Sequence, residues 1–206
     1  MYVAMRPTAP ETPNLVYDLP SIVRRLDLGE LFPVAQPLEV ELGSGDGSFL
    51  LNYAKQHPDR NFVGVERLLG RITKLHRKGT RMGLLNLRGV RIESSYFLEF
   101  LLPPEAAAAI HVYFPDPWPK LKHRRHRLIN ERFPSLARAA LKTGGVVYLR
   151  TDDADYHEQM LRVFAADTRF EASDISEELK AIVTDFEKHF NAQGIPTRHA
   201  AYQRVQ

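Results

Sequence analysis

The sequence predicts a doubly wound α/β domain with a mostly parallel β-sheet, on three observations. From Pro37 onward, short apolar runs alternate with segments of helical periodicity, which is typical of parallel strands joined by crossover helices. A glycine-rich turn, Gly43 to Gly47, comes directly after the first apolar run, where such folds bind ligands. A chain of 206 residues with 44% hydrophobic content suits one domain with a substantial core.

The same patterning predicts each element in turn. Residues 38–42, 61–66, 87–92, 110–114 and 146–151 are predicted strands, and residues 49–55 form the first helix. Between 124 and 142, helical spacing predicts a helix that Pro134 starts or kinks and Gly144-Gly145 ends. Four prolines in residues 1–20 predict an extended or flexible arm. We expect residues 21–206 to form a single domain.

Composition excludes several classes of protein. The absence of cysteine excludes disulfides, thiolate metal sites and cysteine nucleophiles. No segment approaches the roughly 20 apolar residues that cross a bilayer, and the proline-rich N-terminal stretch is not a signal peptide. We therefore expect a cytoplasmic protein with no membrane partner and no bound metal. The net charge of +3 indicates a polyanionic partner only where the basic residues cluster.

The glycine turn has the sequence Glu41-Leu-Gly43-Ser-Gly45-Asp-Gly. A dinucleotide fingerprint would have its third glycine at position 48, where Ser48 stands. The spacing therefore favours S-adenosylmethionine over NAD. Glu66, which ends the second strand, can accept hydrogen bonds from both hydroxyls of a ribose. The alternative is an ordinary tight turn and a surface glutamate.

Two other acidic residues follow predicted strands. Glu93, after the third strand, can reach an adenine amine, or it is simply solvated. Asp152, after the fifth strand, either meets a substrate or caps the helix that follows, since aspartate caps helices well.

Asp116 stands between Pro115 and Pro117, just after the fourth strand. Flanking prolines restrict the backbone, so the loop loses little entropy when it presents the carboxylate in one direction. This rigidity favours a catalytic role. The alternative is a proline-rich turn that covers the sheet edge, with Trp118 as a buried lid.

Residues 120–127 contain five permanent cations and two histidines. Such a run can neutralise several phosphates and release their counterions, although a charge run is often only a solvated helix face. Because no further ligand cluster accompanies the histidines, RNA contact or solvation is favoured over a metal site.

The segment Phe114-Pro-Asp-Pro-Trp-Pro-Lys120 resembles the FPDPW-x-K motif of tRNA (guanine-N7)-methyltransferases, which are class I, Rossmann-like enzymes. The resemblance covers roughly residues 38 to 195, with ELGSGDG, NFVGVE, NLRGV and GGVVYLRTD in the family's order. Thr184-Asp-Phe-Glu187 resembles the family's T-x-[YF]-E element.

The resemblance implies a role for each motif. The residues expected to contact the cofactor are Glu41, Gly43, Gly45, Glu66, Glu93 and Asp116. Asp116 is also the expected catalytic residue. The residues expected to contact the target nucleoside are Lys120, Asp152, Thr184, Asp185, Phe186 and Glu187. The residues expected to contact the RNA are Lys122, His123, Arg124, Arg125, His126 and Arg127.

The implied reaction is methyl transfer from S-adenosylmethionine to N7 of a guanosine in tRNA, expected to be guanosine 46 of the variable loop. The chain has Glu93 where the family usually has aspartate, His126 in place of a permanent cation, and Asp153 in place of a frequent tryptophan. A methyltransferase for another RNA base or a small molecule, and a non-catalytic RNA-binding relative, are the alternatives. The sequence leaves open whether the protein is a monomer or a homodimer.

Overall fold

The structure, a computed structural model, describes residues 14–206. Its eight strands form one sheet. They are β1 (Val16–Tyr17), β2 (Leu38–Leu42), β3 (Asn61–Val65), β4 (Leu87–Val90), β5 (Ala107–Tyr113), β6 (Leu141–Thr151), β7 (Phe170–Ala172) and β8 (Arg198–Arg204).

Residues 14–206 also contain eight α-helices. They are α1 (Leu28–Leu31), α2 (Leu50–Gln56), α3 (Leu69–Arg81), α4 (Ser94–Tyr96), α5 (Phe133–Ala140), α6 (Ala154–Ala165), α7 (Glu177–Ala181) and α8 (Asp185–Asn191). Of these, α2, α3, α5 and α6 pack on strands of the sheet. A π-helical turn, Phe97–Leu101, continues α4, and Leu121–His126 form a 3₁₀-helix.

The strand order is β1-β4-β3-β2-β5-β6-β8-β7. Strands β1 to β6 pair in parallel, whereas β8 runs antiparallel to both β6 and β7. The chain winds outward from β2 in one direction through β3 and β4, and in the other through β5 and β6. The switch point between β2 and β5 is where open α/β sheets bind ligands, at the carboxyl ends of the strands.

Burial explains the continuous apolar strands. Every residue of β2 and β3 is buried, because helices cover both faces of a parallel sheet. Helix α3 turns Ile72, Leu75 and Gly79 toward this sheet and leaves its charged side chains outside. The core therefore holds the strands in register and fixes where each strand ends.

The predicted doubly wound fold is confirmed, and five of its strands coincide with β2 to β6 to within a few residues. The expected end of the helix after Pro134 is wrong. Pro134 lies in the first turn of α5, but the helix ends at Ala140, and the Gly144-Gly145 pair lies inside β6.

The N-terminal boundary also differs from the prediction. Val16 and Tyr17 pair with Gly89 and Val90 of β4, and Leu15 is fully buried. The folded part therefore begins before residue 20, and the rest of the predicted arm, residues 1–13, lies outside the described residues. In the part of the chain that is described, no helix is both long and apolar enough to span a membrane.

Candidate active site

Two adjoining cavities open at the carboxyl edge of the sheet, at the switch point. The first, here called the Glu66 cavity, has a volume of about 290 Å³ and is lined by Glu66, Glu93 and Trp118 among others. The second, the Asp152 cavity, has a volume of about 530 Å³ and is lined by Glu41, Gly45, Asp152 and Thr184 among others. Both cavities share Gly43, Arg71, Tyr113, Phe114, Pro115 and Asp116. The site therefore has two compartments that meet at Asp116.

The glycine turn after β2 forms one wall. Gly43 and Gly45 have φ of 80° and 55°, the left-handed region that favours glycine. A Cβ at either position would meet no atom within 4 Å, so the backbone faces open space there. Glu66, which is buried, accepts a hydrogen bond from the Gly45 amide at 3.1 Å and one from the Leu68 amide at 2.8 Å. This carboxylate holds the turn against β3 and is not a surface residue.

Glu41 lies at the floor of the Asp152 cavity. Burial raises the pKa of Glu41 to about 8, which the positive charge of Arg150 only partly offsets. Its Oε2 and the Oγ of Ser44 are buried and have no hydrogen-bond partner in the described part of the chain. Unpartnered buried polar atoms are costly, and two of them beside one turn indicate that a polar ligand binds there.

Glu93 lies at the rim of the Glu66 cavity, and its carboxylate caps α4. It accepts hydrogen bonds from the Ser95 and Tyr96 amides at 3.0 and 2.8 Å. The side chain is exposed but held in one orientation. The Glu93 carboxylate is therefore neither simply solvated nor entirely free to bind a ligand.

The Asp116 loop has a constrained backbone. Phe114 and Trp118, on either side of Pro115-Asp116-Pro117, have φ of 51° and 44°. Non-glycine residues in this region carry roughly 1–3 kcal/mol of strain each, and such strain clusters at functional sites. The carboxylate of Asp116 is exposed at the junction of the two cavities. The predicted presentation of this carboxylate by a rigid loop agrees with this geometry.

Trp118 is half-buried and lines the Glu66 cavity. Its ring lies 5.2 Å from the ring of His126 and 5.9 Å from that of His123. The rings of Trp118 and His126 line the cavity, so Trp118 is not the fully buried lid of the alternative interpretation.

Asp152 and its neighbour have separate roles. Asp153 caps α6, because its side chain accepts a hydrogen bond from the Tyr156 amide at 2.7 Å. Asp152 instead lines the cavity named after it. The alternative in which Asp152 caps the helix is therefore wrong, and its carboxylate faces the site from β6, two strands from β2.

The segment Thr184–Glu187 begins α8 and forms a capping box. Thr184 accepts from the Glu187 amide at 3.1 Å, and Glu187 accepts from the Thr184 amide at 2.8 Å. Glu187 is buried and also accepts from Arg150 at 2.9 Å. Of the four residues, Thr184, Asp185 and Phe186 line the Asp152 cavity, whereas Glu187 does not. The structure therefore corrects the predicted contact of Glu187 with the substrate. Glu187 holds α8 in position instead.

Three phenylalanines stand together at the mouth of the Asp152 cavity. The ring of Phe114 lies 6.0 Å from those of Phe186 and Phe190, with interplanar angles of 20° and 26°. All three line the cavity, and Phe186 is 48% exposed. Their roughly parallel faces offer a stacking surface for a flat aromatic ligand.

The basic run divides into exposed and buried residues. Lys120, Lys122, Arg125 and His126 are exposed, and His123 is half-buried. Arg124 pairs with Asp155 at 3.0 Å. Accessible positive charge therefore lies next to the residues that border the cavity.

Arg127 contradicts the prediction for its run. It is 1% exposed and donates to the Pro117 carbonyl at 2.6 Å, to Gln159 at 2.8 Å and to Asp155 at 2.7 Å. Its guanidinium also lies 4.6 Å from the ring centre of Tyr156. Because all of its side chain is buried, Arg127 supports the Asp116 loop from inside and does not contact RNA.

Sequence reasoning missed Tyr113 and Arg71, which line both cavities. The Tyr113 hydroxyl lies 2.8 Å from the buried Nδ1 of His111, and the Arg150 guanidinium stacks 4.3 Å from its ring centre. Tyr113 ends β5 one residue before the recognised motif, and Arg71 belongs to a helix with five cations and no acidic residue. These two sequence features could have pointed to Tyr113 and Arg71. No group of three or more histidine or acidic side chains in residues 14–206 could hold a metal ion.

Comparison with known proteins identifies the family. A family model described as a putative methyltransferase matches residues 35–200. A tRNA (guanine-N(7)-)-methyltransferase from Nitrosomonas eutropha is 36% identical over 153 residues, which is 74% of this chain and 68% of the relative. One from Thermotoga maritima is 32% identical over 173 residues, which is 84% of this chain and 55% of the relative.

Solved structures share the fold. A 30S ribosomal A1408 methyltransferase from an uncultured bacterium superposes with a TM-score of 0.61 at 18% identity, covering 88% of this chain and 95% of that one. The 16S rRNA methyltransferase KamB gives a TM-score of 0.59 at 17% identity, covering 86% and 91%. The extent and identity of the sequence matches, together with the two-compartment site, show that the chain belongs to the tRNA (guanine-N(7)-)-methyltransferase family.

Proposed function

We propose that this protein transfers a methyl group from S-adenosylmethionine to N7 of a guanosine in tRNA, and that the guanosine is number 46 of the variable loop. One observation carries the proposal. Asp116 stands where the Glu66 cavity, which two carboxylates border, meets the Asp152 cavity, which has the glycine turn on its wall and aromatic rings beside it. A site that joins two ligands at one carboxylate suits group transfer between them.

The compartments fit the cofactor. Glu66 and Glu93 border the first cavity, and carboxylates there can accept hydrogen bonds from ribose hydroxyls and an adenine amine. The Glu41 Oε2 and Ser44 Oγ, which lack partners in residues 14–206, fit the polar end of an amino acid moiety. Gly43 and Gly45 would let the cofactor approach the backbone closely. S-adenosylmethionine supplies an electrophilic methyl group when it is bound here.

The part of the Asp152 cavity that the phenylalanines line fits a guanine base. Phe186 and the neighbouring aromatic rings offer a face on which a base that has left its helical stack can lie. Asp152 and Thr184 place polar groups at its edge. We propose that Asp185 also contacts the nucleoside and that Lys120, which is exposed beside the Asp116 loop, contacts its phosphate. Glu187 acts by holding α8 in place.

The chemistry requires alignment more than proton transfer. Guanine N7 has an in-plane lone pair, so no base needs to remove a proton before the methyl group moves. As the new bond forms, positive charge spreads over the guanine ring. A carboxylate from Asp116 that accepts hydrogen bonds from N1–H and the 2-amino group would stabilise this charge in the transition state.

We propose that the exposed residues Lys122, Arg125 and His126 contact tRNA phosphates, with His123 and Arg124 beside them. A tRNA substrate also makes the cytoplasm the expected place of action.

The test is incubation of the purified protein with labelled S-adenosylmethionine and an unmodified tRNA transcript, followed by borohydride and aniline, which cleave at N7-methylguanosine. We expect cleavage at one variable-loop guanosine and none in a matched transcript with adenosine at that position. Label transfer without cleavage would mean another target atom. Cofactor binding without any transfer would mean a non-catalytic RNA-binding protein.

A further inference from the structure

Helix α3, Leu69–Arg81, has an unusual distribution of charge. Its 13 residues include five lysines and arginines and no acidic residue. The cations are Arg71, Lys74, Arg77, Lys78 and Arg81. With 3.6 residues per turn, Lys74, Arg77 and Arg81 fall on the side opposite Ile72, Leu75 and Gly79, which face the sheet. Arg71 and Lys78 lie on the flanks of that side. The helix therefore presents a continuous positive stripe, here called the α3 stripe, to the surface.

Little within the described chain neutralises the α3 stripe. Lys78 pairs with Asp46 at 2.6 Å, and Arg71 lies 4.0 Å from Glu66. Arg77 and Arg81 are exposed and form no ion pair with any residue between 14 and 206. Like charges three or four residues apart destabilise a helix. The helix dipole favours cations only near the C-terminal end, so it does not account for Arg71 and Lys74.

The position of the α3 stripe relates it to the site. Arg71 lines both cavities and Lys74 lines the Asp152 cavity. Strands β3 and β5 flank β2, so α3, which follows β3, and residues 118–126, which follow β5, approach the site from its two sides. Trp118 and His126 of the second segment line the Glu66 cavity. The cavities thus open between two cationic segments that are far apart in sequence.

We infer that the α3 stripe is a second phosphate-binding surface, which holds the tRNA backbone on the side of the site opposite residues 120–126. This inference rests on the proposed function. A strand whose target base enters the Asp152 cavity has backbone on both sides of that base, and each side then meets positive charge. A polyanion also offsets the repulsion among the helix cations, through the release of its own counterions.

The test uses Arg77 and Arg81, because neither lines a cavity. The variant is R77Q/R81Q, and the matched control is K142Q/R162Q, which removes two exposed cations from β6 and α6. Binding of an unmodified tRNA transcript is measured at several salt concentrations, together with binding of S-adenosylmethionine and the midpoint of unfolding.

Loss of two phosphate contacts should lower the slope of log Kd against log salt by about 1.4–1.8, and should weaken binding roughly 10- to 30-fold near 0.15 M salt. Cofactor binding and the unfolding midpoint should stay as in the wild type, and R77K/R81K should restore tRNA affinity. The control should change the slope much less.

If R77Q/R81Q and wild type have equal slopes of log Kd against log salt, the inference is overturned. An acidic protein would then be the favoured partner of the α3 stripe. Equal losses in R77Q/R81Q and K142Q/R162Q would also overturn the inference, because total charge alone would then explain binding. If the wild type binds no tRNA and methylates none, the proposed function itself fails. If instead the wild type methylates tRNA and does not use Arg77 and Arg81, only the inference about the α3 stripe fails.

Discussion

The Nε of Arg127 donates a hydrogen bond of 2.6 Å to the carbonyl of Pro117, the residue that follows Asp116. The guanidinium is buried and is also held by Gln159 and Asp155 on α6. The last cation of a basic run is therefore part of the scaffold that orients the Asp116 loop.

Arg127→Gln should destabilise the protein without removing an RNA contact. The Pro117 carbonyl and the Gln159 side chain would lose their donor in the interior, which should lower the free energy of unfolding by roughly 2–4 kcal/mol. Urea denaturation measures this loss. The salt dependence of tRNA binding should remain that of the wild type.

Arg125→Gln is the matched comparison, because Arg125 is exposed in the same run. It should leave the free energy of unfolding within about 0.5 kcal/mol and lower the salt slope of tRNA binding by about 1. If instead Arg127→Gln lowered the slope and kept full stability, the interior placement of Arg127 would be contradicted.

Asp116→Asn should keep the shape of the loop and remove its negative charge. We expect kcat to fall by roughly 100-fold or more, since charge stabilisation in a transition state commonly contributes that much. S-adenosylmethionine binding, measured by calorimetry, should change far less than kcat. Wild-type turnover in this variant, with the cofactor still bound, would eliminate the catalytic assignment.

Glu41 should make stability depend on pH. Burial raises its pKa from 4.5 to about 8, so between these values the folded state holds a proton that the unfolded state has lost. The free energy of unfolding should therefore decrease as pH rises through this range, by a few kcal/mol in total, and the contribution should level off above about pH 8.

Glu41→Gln should remove this dependence, because the amide does not titrate. Urea denaturation of both proteins at about pH 6 and about pH 8.5, without cofactor, compares them directly. From the lower to the higher pH, the free energy of unfolding should fall less for Glu41→Gln than for the wild type. Parallel curves for wild type and variant would show that Glu41 does not titrate in this window.

Phe186→Ala should weaken use of the tRNA substrate. Stacking of a base on an aromatic ring is worth roughly 1–3 kcal/mol, so kcat/KM for tRNA should fall by roughly 5- to 150-fold. Steady-state kinetics with tRNA varied at saturating cofactor measures this. Phe100→Ala is the control, because Phe100 is 45% exposed, close to the 48% of Phe186, and lines neither cavity. Equal losses in both variants would contradict a stacking role.

Much of the architecture could be predicted from local patterns. Buried apolar strands and a glycine turn after β2 imply a parallel sheet, and parallel strands bring Glu66, Asp116 and Asp152 to one edge. The pairing of β1 with β4 could not be predicted in this way. A two-residue strand carries no periodicity, and Leu15 packs on residues far away in sequence.

The role of each cation and carboxylate was less predictable. Asp152 and Asp153 are adjacent acidic residues, and which of them caps α6 depends on the dihedral angles where β6 ends. Glu187 looks like a substrate ligand in its motif, but Arg150, 37 positions earlier, holds it in the interior. Local sequence does not contain such long-range pairs.

By itself, the sequence determined the order of strands β2 to β6, the glycine turn and the Pro115-Asp116-Pro117 loop, because these depend on neighbours within a few residues. Only the tertiary structure decided that Arg127 is a support and Arg125 a surface cation, and that Arg71 of α3 borders both cavities. Burial and ion pairing are set by residues that meet in space. A linear run of charges has the same appearance whether it faces solvent, RNA or the protein interior.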